Sequence, residues 1–258
     1  MVHEIKSAII LAAGRGKRLK NLTDEQPKPL CKVRGEVLIE RLIEQLQAKG
    51  IDDIYVVVGY KYWKFDYLNE KYGITLVYNK KWFCTNNIIS FIKGYEGLSR
   101  CSKSYGTVML DADLYIEDDS VIETKIERSG YYLEYCEDAE RCAKEWVANI
   151  SGAARRKIHR VITDGSCKSG YVLRSLSFWT PMDMAKLYEL AKEATKDGKK
   201  ATKDGKNMQC YIDNIPCVLY DDKFDLCAYV ADKPALLEID TTLDYEQANK
   251  EINNEENS

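Results

Sequence analysis

A chain of 258 residues with 45% hydrophobic content and a net charge of −3 is long enough to bury a full core in one domain. Its mild acidity, with no clustered basic face, argues against nucleic acid as the main partner. No run approaches the ~20 apolar residues of a membrane span and the opening MVHEIKS lacks a signal-peptide pattern, so the chain reads as cytoplasmic, with no membrane partner.

In chain order, residues 8–11 (AIIL) form the short apolar run expected of a buried parallel strand. Gly14 and Gly16 follow at once. Glycines there let the backbone turn sharply and present its N–H groups to phosphate oxygens, while Arg18 and Lys28 supply the charge a polyphosphate needs. The loop is neither a Walker A motif nor a complete G-x-G-x-x-G fingerprint. Taken alone it reads as a glycine turn before a solvated basic stretch. Pro27-Lys28-Pro29, a short loop later, turns the reading toward a nucleoside-triphosphate site with Lys28 as an exposed loop cation.

Residues 36–49 carry helical apolar spacing and stop at Gly50; residues 54–58 read as a second strand, 62–72 as a helix and 74–78 as a third strand. This alternation implies a parallel α/β sheet with right-handed crossovers. Asn86 and Asn87 suit a helix N-cap, and residues 107–110 form a strand that ends in Asp111-Ala112-Asp113. Further strands are expected at 131–135, 157–163 and 171–178, then a helix whose first turn holds Pro181. The unit ATKDGK occurs twice within 194–206, marking a surface insert. Residues 1–250 read as a single domain. The tail from Asn249 is polar and reads as disordered at its end, over 251–258, or as a linker to another enzyme domain fused beyond the C-terminus.

The nine cysteines are odd in number, scattered from Cys31 to Cys227 and without a C-x-x-C pair, so they read as reduced, buried thiols. With His3 and His159 the only histidines, Ser/His and Cys/His nucleophiles are disfavoured. The chemistry falls to carboxylates, cations and a hard metal. Asp113 and Asp240 each stand at the end of an apolar strand, where ligands bind in open α/β sheets, and are the Mg²⁺ candidates. The bland alternative for each is a capping aspartate.

Residues 11–19 and 27–30 resemble the sugar-phosphate nucleotidyltransferase signature L-A-A-G-x-G-[ST]-R-[LFM] followed by P-K-[PAS]-[LM], with Lys17 in place of Ser or Thr. Over almost its whole length the chain is also similar to the bacterial CTP:phosphocholine cytidylyltransferases of that superfamily. The supporting stretches include Val57-Val58-Gly59-Tyr60, Asn86-Asn87, Asp111-Ala112-Asp113, Glu145-Trp146, Ser177-Phe178-Trp179, Tyr211-Ile212-Asp213-Asn214 and Glu238-Ile239-Asp240. The resemblance implies a Rossmann-like, GT-A-like nucleotidyltransferase fold with a central, mostly parallel mixed sheet flanked by helices. It implies CMP transfer from CTP to a small phosphoryl amine, with release of pyrophosphate. Arg18 and Lys28 would act on the phosphates, and Asp113 and Asp240 would hold Mg²⁺. The nucleotide would meet Leu11, Ala12, Ala13, Gly14, Gly16, Lys17, Gly59, Asn86, Asn87 and Ala112. The acceptor would meet Glu145, Trp146, Phe178, Trp179, Tyr211 and Asp213.

Two departures bear on the acceptor. Ile212 stands where the phosphocholine enzymes have Trp, and Ile88-Ile89 where their helix begins with an aromatic residue. An aromatic cage suits a quaternary ammonium, whereas a primary ammonium prefers carboxylate and carbonyl acceptors. The expected acceptor is therefore 2-aminoethylphosphonate, with phosphocholine as runner-up should Trp82, Phe83 or Tyr211 fill the gap. The rival readings are a non-catalytic nucleotide sensor and a UTP- or dTTP-using sugar-phosphate enzyme.

Overall fold

In the computed structural model, which describes residues 1–152, 156–196, 210–231 and 233–255, the apolar run after the N-terminus becomes the strand His3–Ala12 at the centre of a mixed sheet. It pairs in parallel with Asp53–Val58 on one side and Gly106–Asp111 on the other, and Thr75–Tyr78 extends the parallel half as its edge. Beyond Gly106–Asp111 the sheet turns antiparallel through Gly170–Trp179 and Gly130–Cys136. Cys227–Val230, Lys157–Ile162 and Val147–Ser151 complete it. Gly130 admits Cys227–Val230 beside it: a Cβ there would fall 1.9 Å from the Cys227 carbonyl oxygen.

Period-two alternation explains why the central strands are apolar throughout. Ala8, Ile10 and Ala12 face a core closed by Ile39, Leu42, Ile43 and Leu46 of the helix Leu38–Ala48. Ile9 and Leu11 face a second core closed by Ile88, Phe91 and Ile92 of Asn87–Gly97 and by Met184, Leu187 and Ala191 of Pro181–Lys196. A strand buried on both faces cannot carry polar alternation. The parallel register sets Leu11 opposite both Val57 and Asp111, so the ends of three strands open on one crevice.

Several sequence expectations shift. The helix expected at 36–49 begins as the strand Glu36–Val37, which pairs with Lys32–Val33, and becomes helical only at Leu38. The helix expected at 62–72 is a tight turn, Tyr62–Phe65, followed by Asp66–Tyr72. Val147–Ser151, Cys227–Val230 and the Leu114–Ile116 strand that pairs with Leu236–Glu238 carried too little alternation to be seen. The repeat-bearing insert falls largely on 197–209, outside the described residues. The helix Thr242–Glu255 carries the polar stretch from Asn249 on to Glu255, into the tail 251–258 that reads as disordered from sequence. Ala248 is buried against Val33 and Leu38, and the Asn249 Oδ1 accepts the Arg34 backbone N–H at 2.8 Å, so this polar segment has a face to dock. All nine cysteines are free thiols, but Cys84 and Cys101 are exposed rather than buried. No described helix is long and apolar enough to cross a membrane.

Candidate functional site

The crevice at the strand ends holds two adjoining cavities. The first, about 260 Å³, is lined by the chain leaving His3–Ala12 (Leu11, Ala12, Ala13, Gly14, Gly16), by Lys28, and by Asn86, Asn87 and Ala112. The loop geometry requires glycine at position 16, which has φ +68°, and a Cβ there would lie 2.8 Å from the Lys28 Cβ. The glycine turn and the Pro27-Lys28-Pro29 loop are thus packed directly on each other.

That packing buries Lys28, which corrects the expectation of an exposed loop cation: the residue is 6% exposed. Its Nζ donates to the Asp113 Oδ2 at 2.8 Å and to the Asp240 Oδ1 at 3.1 Å. Burial works against the ammonium, but the carboxylates of Asp113 and then Asp240 outweigh it and hold the Lys28 pKa above the ordinary lysine range. The Arg18 guanidinium, largely exposed, donates from Nη2 to the same Asp240 oxygen at 2.8 Å. Asp113 and Asp240 come from distant strands and are joined by the backbone, since the Ile239 N–H donates to the Asp113 carbonyl at 3.0 Å. Asp244, which opens the C-terminal helix, accepts from the N–H groups of Asp240 and Thr241 at 3.1 and 2.6 Å and so fixes the turn that carries Asp240.

Two nucleotide-side expectations fall elsewhere. Lys17 is exposed in the turn Lys17–Leu19 and does not line the cavity, whereas the following Arg18 does. Gly59 lies beneath the wall: a Cβ on it would meet the Trp82 Cβ at 2.5 Å and the Ala13 carbonyl oxygen at 2.7 Å. Trp82 itself lines the nucleotide-side cavity, with Thr85 and Ser90, and its ring meets Tyr60 edge-on at 5.3 Å. Phe83, 71% exposed, lines neither cavity.

The second cavity, about 380 Å³, shares Arg18, Asn87, Asp111, Asp113, Tyr211 and Asp240 with the first. Its far wall holds Glu145, Trp146 and Asp213, three of the expected acceptor residues. Asn87 orders this side: its Oδ1 accepts the Ile212 N–H at 2.8 Å, and the Asn214 Oδ1 accepts the Tyr211 N–H at 2.9 Å, closing the turn that presents Asp213. Burial raises the Asp213 pKa, with the Tyr131 hydroxyl that faces it pulling the other way.

Phe178 and Trp179 are corrections. Both are fully buried in the sheet's cores, where Phe178 packs on Tyr229 and the Trp179 Nε1 donates to the Ser177 Oγ at 2.9 Å. They stand in an antiparallel strand with both faces covered, so neither reaches the cavity. Ile212 is likewise 1% exposed and part of the second core, so its side chain does not occupy a cage position.

The sequence reading missed Asp111, Tyr131, Arg174 and Glu238, all of which line the second cavity. Asp111 holds its proton far more tightly than an ordinary aspartate, first through burial and then through the charges of Asp113, Asp213 and Glu238. Glu238 is also raised, by burial against the opposing Arg174 charge. The available signals were Arg174 within the apolar run YVLRSLSFW and Glu238 two residues before Asp240.

Comparison with known proteins places this geometry. Residues 8–161 match the MobA-like NTP transferase domain. The chain is 35% identical over 248 residues to a choline-phosphate cytidylyltransferase of Streptococcus pneumoniae, covering 96% of this chain and 99% of that one. It is 33% identical over 195 residues to a 2-aminoethylphosphonate cytidylyltransferase of Lancefieldella rimae, covering 75% of each. Among solved structures, the CTP:phosphocholine cytidylyltransferase from S. pneumoniae superposes with a TM-score of 0.79 at 33% identity, covering 96% of this chain and all of that one. A UDP-glucose pyrophosphorylase superposes with a TM-score of 0.73 at 16% identity, a likeness of fold alone: the Rossmann-like α/β nucleotidyltransferase arrangement with a mixed central sheet.

Proposed function

We propose, for a chain that belongs to the MobA-like NTP transferases, that it is a cytidylyltransferase moving CMP from CTP to a small phosphoryl amine, with 2-aminoethylphosphonate the preferred acceptor. The observation that carries this reading is the pair of adjoining cavities: one floored by the glycine loop and Lys28, the other walled by the carboxylates of Glu145, Asp213 and Glu238. The first suits a triphosphate and the second an ammonium group that donates hydrogen bonds.

In this reading a phosphonate or phosphate oxygen of the acceptor attacks the α-phosphorus of CTP. The new P–O bond forms as the bond to the departing pyrophosphate breaks. The oxygen is already anionic at neutral pH, so no general base is required, in keeping with a site without histidine. Catalysis then rests on placing two anions against each other and screening the charge that builds on the phosphoryl oxygens. Arg18 borders both cavities and stands at the meeting point, while Lys28 and the glycine-loop N–H groups face the triphosphate side. The donor set fits Mg²⁺: Asp113 and Asp240 are hard oxygen ligands brought within 3.1 Å of one ammonium nitrogen. Mg²⁺ is commonly shared between one or two carboxylates and substrate phosphates, which these two aspartates beside the triphosphate side suit. Bound there, Mg²⁺ would supply charge neutralisation to the triphosphate.

Phosphocholine is the second reading, favoured by the rings of Trp146 and Tyr211 at the acceptor cavity and by the similarity to choline-phosphate enzymes. Pyrophosphate release from CTP, with each amine and with mass detection of the product, tests both. CMP-2-aminoethylphosphonate as the faster product supports the first reading. A tenfold or greater preference for phosphocholine selects the second, and release with UTP and a sugar phosphate overturns both.

A further inference from the structure

Arg174 stands in the middle of the apolar strand Gly170–Trp179 and is 3% exposed. Its Nε lies 3.2 Å from the Glu134 Oε2 and its Nη1 3.5 Å from the Glu238 Oε2. Each carboxylate is anchored by its other oxygen. The Tyr132 hydroxyl and the Ala235 N–H donate to the Glu134 Oε1 at 3.1 and 3.0 Å, and the Ser175 N–H donates to the Glu238 Oε1 at 3.2 Å. The network therefore ties Gly130–Cys136, Gly170–Trp179 and Leu236–Glu238 together. Arg174 and Glu238 border the acceptor cavity on one side and, with Glu134, a cavity of about 390 Å³ on the other.

Burying such a group is costly, and a well-packed apolar cluster often holds strands together as well or better. Stability alone is therefore a weak reason for this network. Its position supplies a better one. Glu238 shares the acceptor cavity with Glu145 and Asp113, whose like charges would turn it away from the cavity if nothing held it. The guanidinium, paired with Glu134 by charge although its Nε makes no hydrogen bond, sets the opposing charge that keeps Glu238 in place.

We propose that Arg174, backed by Glu134, is a positioning residue for the acceptor: it fixes Glu238 as a carboxylate wall that selects a hydrogen-bonding ammonium. This inference rests on the proposed function, since it concerns the same acceptor cavity. The test replaces both partners, Glu134→Leu with Arg174→Met, so that neither of that pair is left as a lone charge. The double variant leaves the Ala235 N–H without its acceptor and Glu238 without its cation, so its thermal midpoint should fall, while calorimetry should still give a CTP affinity within twofold of the wild type. The KM for 2-aminoethylphosphonate should rise at least tenfold with a smaller change in kcat. Phosphocholine, whose ammonium donates no hydrogen bonds, should lose less. Arg174→Lys should recover part of the acceptor KM.

An unchanged acceptor KM in the folded double variant, or an equal loss for both amines and for CTP, overturns the positioning role. If the double variant does not fold, Glu238→Gln gives the same reading: a tenfold rise in KM for the primary amine with CTP binding intact supports the proposal, and no rise overturns it. A wild type that releases pyrophosphate with neither amine overturns the proposed function and this inference together. An unaffected variant of an active wild type overturns this inference alone.

Discussion

The nucleotide side and the acceptor side of this crevice are built in different ways. The first takes one wall from a continuous segment, in which a strand, a glycine turn and a proline-flanked lysine pack on one another, and small residues there leave the backbone accessible; the 82–90 segment supplies much of the rest. The second is assembled from side chains on Gly130–Cys136, Gly170–Trp179, Leu236–Glu238 and the 211–214 turn, which are far apart in sequence. A backbone-built site tolerates drift in side chains outside its few fixed positions. A side-chain-built site can change specificity by changing one residue. The two sides meet at Arg18, Asn87, Asp111, Asp113, Tyr211 and Asp240.

The largest effect that tests this contrast is expected at Lys28, where the two sides are clamped together. Lys28→Ala should lower turnover by ~10²–10³, the usual result of removing one preorganised contact to a charged transition state. It should also destabilise the free protein, because Asp113 and Asp240 are left facing each other. Both carboxylates keep about a quarter to a third of their exposure, so the stability loss should stay near 1–2 kcal/mol rather than the larger cost of a fully buried pair. Steady-state rates and thermal melts check this, and near-normal turnover would remove Lys28 from the phosphate machinery.

The next effect separates the two sides. Asp213→Asn should weaken acceptor use by about 2 kcal/mol, at the low end for an unpaired desolvated charge because burial already favours the neutral Asp213 carboxyl. CTP affinity should stay unchanged. Equal losses for CTP and acceptor would mean that the 211–214 turn supports the nucleotide cavity as well, through the Ile212–Asn87 hydrogen bond.

Ile212→Trp should be smaller still and of a different kind. Ile212 lies in the second core beside a void of about 20 Å³, so an indole there overpacks the core and costs about 1–2 kcal/mol of stability. The ratio of phosphocholine to 2-aminoethylphosphonate turnover should not move. A shift toward phosphocholine in a fully stable variant would show that the ring had found the cavity after all.

Ile212 also shows where sequence reasoning stopped. The glycine loop was legible because its chemistry depends on local spacing: Gly16 must be glycine, and Lys28 must follow at loop distance. The parallel half of the sheet was legible because strands buried on both faces are apolar throughout. The acceptor wall was not, since whether a residue in an antiparallel strand faces cavity or core depends on a register that the sequence does not display. Phe178 and Trp179, which the motif assigns to the cavity, lie in the core, and so does Ile212, which stands where the phosphocholine enzymes have Trp. Arg174 and Glu238 were passed over and line the cavity. Lys28 lines the cavity but not as the exposed cation its local sequence suggests, because its burial comes from contact with Gly16 and from Asp113 and Asp240, the latter more than two hundred positions away.

The last expected effect lies on the shared border. The folded protein holds the Asp111 proton well above the ordinary aspartate pKa, through burial and then the neighbouring carboxylates. The unfolded chain releases that proton near the ordinary value, about 3.9. Between the two pKa values the unfolded state has lost a proton that the folded state still holds, so stability falls as pH rises through this window. Below about pH 4 both states are protonated and Asp111 carries no such penalty. Asp111→Asn removes the ionisation while keeping the shape. In metal-free protein it should therefore raise the melting temperature at pH 8 relative to wild type, and that gain should shrink steadily toward pH 4. Melts of both proteins across this range measure it. A difference that stays constant with pH would mean that Asp111 ionises as it does in the unfolded chain, and that the crowding of carboxylates at this border is relieved by another group.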